Sequence, residues 1–151
     1  MKNTKKLQIE QLDRKLASYA DFPEIPSRGW IHGIRTALKM SFRQFGSRLG
    51  ITAQSAQEIE EREKNGNISL KNLREVASTL NMRLVYGFVP RDGSFEEMLE
   101  KQALIVARKI VMRTDNTMKL EDQRVSKERI EKAVRELADE IKREMPRYLW
   151  D

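Results

Sequence analysis

The run Met40-Ser41-Phe42-Arg43-Gln44-Phe45-Gly46-Ser47-Arg48-Leu49-Gly50-Ile51-Thr52-Ala53-Gln54-Ser55-Ala56-Gln57-Glu58-Ile59-Glu60 organises everything around it. Ser41 is a good N-cap, because its hydroxyl can accept one of the backbone N–H groups left over at a helix start. Phe42, Phe45 and Leu49 then give one apolar face, and Gly50 can take the left-handed conformation that ends a helix. Thr52 is a second N-cap, and behind it Ala56 and Ile59 share the inner face of a further helix. Two short helices joined by Leu49-Gly50-Ile51-Thr52 predict a helix-turn-helix between Ser41 and Glu61.

That geometry selects the residues suited to reading DNA. With Ala56 and Ile59 inward, a rotation of about 100° per residue turns Gln54, Gln57, Glu58 and Glu61 outward, with Ala53 and Ser55 at the margins. Gln54 suits a bidentate contact with adenine, Gln57 a hydrogen bond to base or phosphate, Glu58 a bond from cytosine, and Ala53 a thymine methyl. The base-contacting set is therefore Ala53, Gln54, Gln57 and Glu58, on a recognition helix over 53–61. Phosphate contacts are expected from Arg43, Gln44, Thr52 and Ser55, and from Arg62, Lys64, Asn65 and Lys71 around the following loop. The bland alternative is a solvated polar face for Gln57 and Glu58, and solubility for the basic side chains.

Upstream, Trp30, Ile31, Ile34, Ala37 and Leu38 predict a short helix, Pro23 and Pro26 break the chain before it, and Ile9, Leu12 and Leu16 predict an amphipathic helix to about Tyr19. Downstream, the turn-rich Lys64-Asn65-Gly66-Asn67 leads to Ser69, the cap of a helix carrying Leu70, Leu73, Val76, Ala77 and Leu80. Leu84-Val85-Tyr86-Gly87-Phe88-Val89 is β-branched and aromatic and predicts one strand. A lone strand leaves its edges unpaired, so pairing with the same strand of a second subunit through Leu84, Val85, Tyr86 and Phe88 is the economical arrangement. It would also hold two recognition helices roughly 34 Å apart, one turn of duplex. Ser94 caps a helix from about Phe95 to Arg113, a shorter helical segment follows Thr117, and Ser126 begins a last helix with Ile130, Val134, Leu137 and Ile141 in register. The expected division is an N-terminal helix and arm over 1–27, a DNA-binding domain over 28–81, a strand and dimer contact over 82–93, and helices over 94–151.

Composition narrows the function classes. The chain has 151 residues, no cysteine and a single histidine, His32, so disulfides, thiolate chemistry and a histidine metal cluster are excluded. No metal or other cofactor is expected. Without a Gly-rich phosphate loop or a nucleophile beside a base, no catalytic constellation is visible and an enzyme is not expected. His32 reads as a surface or packing residue. A formal net charge of +6 favours a polyanionic partner. No apolar run has the length to span a bilayer, so no membrane is involved and a cytoplasmic protein is expected, on the nucleoid when bound to DNA.

The Met40–Glu60 run resembles the phage-repressor, or Xre-type, helix-turn-helix family: a hydrophobe-Ser start, a small residue at Gly46, Leu-Gly at the turn, then Ile-Thr, and Ile-Glu near the end. The resemblance implies a mainly α fold, with an Xre-type five-helix DNA-binding domain, one β-strand paired across a dimer, and C-terminal helices. It also implies a structural ion pair between Arg35 and Glu60. Phe42 departs from the family pattern, which usually carries a DNA-contacting glutamine there. Glu58, Glu60, Glu61 and Glu63 make the far end of the recognition helix acidic, which opposes phosphate.

A wider resemblance runs through Leu7–Leu16, Arg28-Gly29-Trp30-Ile31, Ser69-Leu70-Lys71, Arg83-Leu84-Val85-Tyr86, Thr117–Gln123 and Leu149-Trp150-Asp151. These segments are similar to the family called mobile mystery protein A, whose members are encoded beside a Fic-domain protein. The resemblance implies a transcription regulator of repressor and antitoxin-like type, working as a homodimer, with a Fic partner from the adjacent gene. Thr117-Met118-Lys119-Leu120-Glu121-Asp122 comes within one residue of a Fic-inhibitory motif, which would make Glu121 the inhibitory residue. The competing function is therefore a protein-binding module that binds or inhibits a Fic partner, with DNA binding secondary.

Overall fold

Ser41, Thr52 and Ser69 all sit in extended backbone, and each hydroxyl accepts the N–H of the residue three further on, at 3.1 Å. These caps fix where three consecutive helices begin. The computed structural model describes residues 2–115 and 123–151. Its helices are α1 (Lys2–Leu16), α2 (Trp30–Ala37), α3 (Phe42–Leu49), α4 (Ala53–Lys64), α5 (Leu70–Thr79), α6 (Phe95–Asp115) and α7 (Gln123–Glu144), with short 3-10 turns at Ala17–Asp21 and Arg147–Trp150. The protein is mainly helical.

The chain divides into two units, residues 22–86 and residues 1–21 with 87–151. The first contains α2–α5 around buried Ile31, Phe45, Ala56 and Val76, with Leu49, Ile59, Leu73 and Leu80 packed against them. Phe45 is the largest side chain fully removed from water here, so it anchors both helices of the helix-turn-helix.

In the second unit α6 and α7 lie antiparallel. Lys142 meets Glu96 at 3.4 Å, and Arg108 grips Glu131 through two hydrogen bonds of 2.7 and 3.1 Å. Ala103, Ala107 and Ala138 are buried along this seam with Val134 and Ile141, small and branched residues that let the helices approach closely. Leu149 is fully buried in the same core and its carbonyl accepts from Gln102 at 2.8 Å, while Tyr148 and Trp150 stay exposed.

Three expectations are corrected. The unit expected to bind DNA holds four helices rather than five, because α1 belongs with α6 and α7. Ile9 joins their core, and the Asp13 carboxylate accepts the N–H groups of Phe95 and Glu96, at 2.6 and 3.3 Å, at the start of α6. The stretch over Leu84–Val89 is not a strand, and none occurs among the described residues. A strand exists only where its backbone groups find a ladder partner, and none of those residues supplies one. Finally, α7 starts at Gln123, ahead of Ser126, since nothing in Gln123-Arg124-Val125 breaks a helix.

Candidate nucleic-acid interface

The turn between α3 and α4 depends on two glycines. Gly50 has φ 71°, the left-handed region, and closes α3. Gly46 is buried where a Cβ would lie 2.8 Å from the carbonyl oxygens of Ile51 and Thr52, so no side chain fits. The N–H of Ile51 donates to Gly46 O at 2.8 Å and locks the corner.

From that corner α4 presents two faces. Ala56 and Glu60 are buried and Ile59 and Glu63 half-buried, while Ala53, Gln54, Gln57, Glu58 and Glu61 are exposed. The four side chains singled out for base contact thus share the outer surface, beginning at the first turn of the helix.

The inner carboxylates have internal partners. Arg35 donates to Glu60 from Nε at 2.5 Å and Nη2 at 3.3 Å, and its Nη1 donates to Met40 O at 2.8 Å. The guanidinium carbon lies 3.9 Å from the centre of the Phe42 ring. Phe42 thus covers the ion pair, which gives this side chain a physical role. Glu63 Oε1 accepts the N–H of Ile31 at 2.8 Å. Nothing local marked that contact except the absence of a capping side chain at Gly29, the N-cap of α2. Gly29 has φ 88°, and a Cβ there would lie 2.5 Å from the Glu63 carboxylate. Glu60 and Glu63 are therefore engaged within the unit, and the acidity facing outward reduces to Glu58 and Glu61. Glu61 is partly offset by Lys64 at 3.9 Å.

The residues expected to meet phosphate are mostly open to solvent. Arg43, Gln44, Thr52, Arg62, Lys64, Asn65 and Lys71 are exposed, whereas Ser55 is half-buried. Gln44 Oε1 accepts from Ser41 N at 2.9 Å in a capping box, leaving its amide N–H groups to donate outward. Thr52 Oγ1 donates to Ser55 Oγ at 3.0 Å, so those two hydroxyls are coupled. Leu84 is half-buried, and Val85, Tyr86 and Phe88 are exposed, Phe88 to 78%. Glu121 lies outside the described residues.

Among the described residues no cluster of three or more His, Asp or Glu could hold a metal ion, and no helix is long and apolar enough to cross a membrane. Comparison with protein families, curated proteins and solved structures finds no match to this chain.

Proposed function

We propose that this chain is a sequence-specific DNA-binding transcription regulator that works as a homodimer and represses its own operon, in the manner of an antitoxin. The observation that carries this reading is the outer face of α4, where Ala53, Gln54, Gln57 and Glu58 are exposed on a helix whose other face is held by the Phe45 core and by Arg35. Polar side chains capable of bidentate contact, at the N-terminal end of the second helix of a helix-turn-helix, suit the major groove. The dimer is favoured by the segment after α5, where Met82, Val85, Tyr86, Phe88 and Val89 are each at least 44% exposed. So many large apolar side chains in one short segment suit a covering partner.

The test is fluorescence anisotropy of the purified protein with a duplex from immediately upstream of its gene and with a scrambled duplex, from about 50 to 200 mM salt. A preference of about a thousandfold that collapses in Gln54→Ala supports the reading. Equal, steeply salt-dependent binding to both duplexes, or none, overturns it.

A second reading, a module that binds a Fic-domain protein, is favoured by an open groove of about 460 Å³ among α1, α6 and α7. Ile9, Leu99 and Met145 contribute its apolar part, and Lys5, Glu96 and Arg143 are among its charged groups. Co-purification with the adjacent gene's product, abolished by Ile9→Asp while duplex binding persists, separates this reading from the first.

A further inference from the structure

We propose that Arg28 and His32 form an anion subsite for one backbone phosphate beside the recognition helix, and that protonation of His32 strengthens it. The inference rests on reading α4 as the DNA-facing helix. A cavity of about 170 Å³ opens between the start of α2 and the outer face of α4. Arg28, His32 and Arg35 line one side; Gln57, Glu60, Glu61 and Lys64 line the other, with Phe42 of α3 completing it. Gln57 and Glu61 also belong to the exposed face proposed to enter the groove, so the cavity adjoins the DNA.

Its charges cancel in pairs except at one place. Arg35 is bonded to Glu60, Lys64 lies 3.9 Å from Glu61, and Glu63, on the same helix, is turned to the Ile31 N–H. Arg28 and His32 remain, with Arg28 Nη1 3.4 Å from His32 Nε2 and His32 Nδ1 3.7 Å from Glu60 Oε2. A neutral imidazole protonated on Nδ1 faces Glu60 with its N–H and accepts from Arg28 on Nε2. Once Nε2 is protonated as well, two cationic donors confront each other across 3.4 Å and neither can accept. A phosphate oxygen between them takes both hydrogen bonds and both charges. The imidazole side chain is 24% exposed, so the site is open to such a group.

Wild type, Arg28→Gln and His32→Gln are titrated with the upstream duplex at pH 7.5 and pH 5.5. Wild type should bind at least about tenfold more tightly at pH 5.5, the size of one charge-assisted hydrogen bond. Both variants should lose that dependence, and Arg28→Gln should flatten the salt slope by about 0.9. His32 is the only histidine, so its imidazole ¹H–¹⁵N signals report on the site without ambiguity; they should move on adding duplex and on adding inorganic phosphate. Duplex binding with the same pH dependence in wild type and His32→Gln overturns the proposal. If no duplex binds at either pH, the DNA reading fails by itself and the phosphate spectra decide. Signals that move in wild type and stay fixed in Arg28→Gln keep the anion subsite, while signals that stay fixed in both overturn it.

Discussion

Glu63, in the last turn of α4, accepts the backbone N–H of Ile31 and so caps α2, a helix whose own N-cap position is a glycine. Helix α4 is held to α2 at its far end by this bond and, one turn earlier, by the bonds of Glu60 to Arg35. Its orientation thus depends on two carboxylates three residues apart.

Replacing Glu63 with alanine removes the cap and should lower stability by about 0.5–2 kcal/mol. A urea melt followed by circular dichroism measures this. An unchanged midpoint would mean that water caps α2 equally well.

Arg35→Ala should cost more, about 3–5 kcal/mol, because Glu60 is only 7% exposed and would be left buried without its cation. The same change leaves Met40 O without its donor. Adding Glu60→Leu to Arg35→Ala should recover much of the loss, and thermal melts of the three variants check the pattern.

In the homodimer proposed above, Phe88→Asp should loosen the contact, since it sets a charge among the exposed apolar side chains Met82, Val85, Tyr86 and Val89. Sedimentation at low micromolar concentration reads the outcome directly. A variant that stays dimeric would move the contact away from the segment after α5.

The Arg108–Glu131 pair carries a pH signature. The hydrogen bond from Arg108 lowers the Glu131 pKa from its ordinary 4.5 and raises that of Arg108. A lowered carboxylate pKa stabilises the fold above about 4.5 and loses that contribution as pH falls through the depressed value. Both groups are well exposed, so the effect is small and screened by salt. Glu131→Gln should therefore melt slightly below wild type at pH 7 in low salt and together with it in strong acid. A difference that persists in acid would assign the effect to packing.

The helix-turn-helix was legible because its determinants are local. Ser41, Gly50 and Thr52 each act on neighbours within four residues, and the apolar spacing does the rest. Gly46 was legible as small, although the reason, two carbonyl oxygens where a Cβ would go, needed the folded corner. The cap from Glu63 comes from 32 residues away, and Asp13 meets Phe95 across 82, separations at which side-chain type says nothing of partner. The strand failed for a related reason: Leu84–Val89 has the composition of a strand, but ladder pairing is a property of two segments.

Because residues 22–86 interrupt a unit built from 1–21 and 87–151, the order of synthesis separates the two units in time. The helix-turn-helix core, closed by Val76 and Leu80, is complete on emergence from the ribosome while α1 still awaits α6. A nascent or truncated chain ending before Phe95 therefore carries a finished α2–α5 unit and an α1 whose Ile9 and Asp13 have nothing to meet. Proteases and chaperones would find their handle at the amino terminus of such a chain.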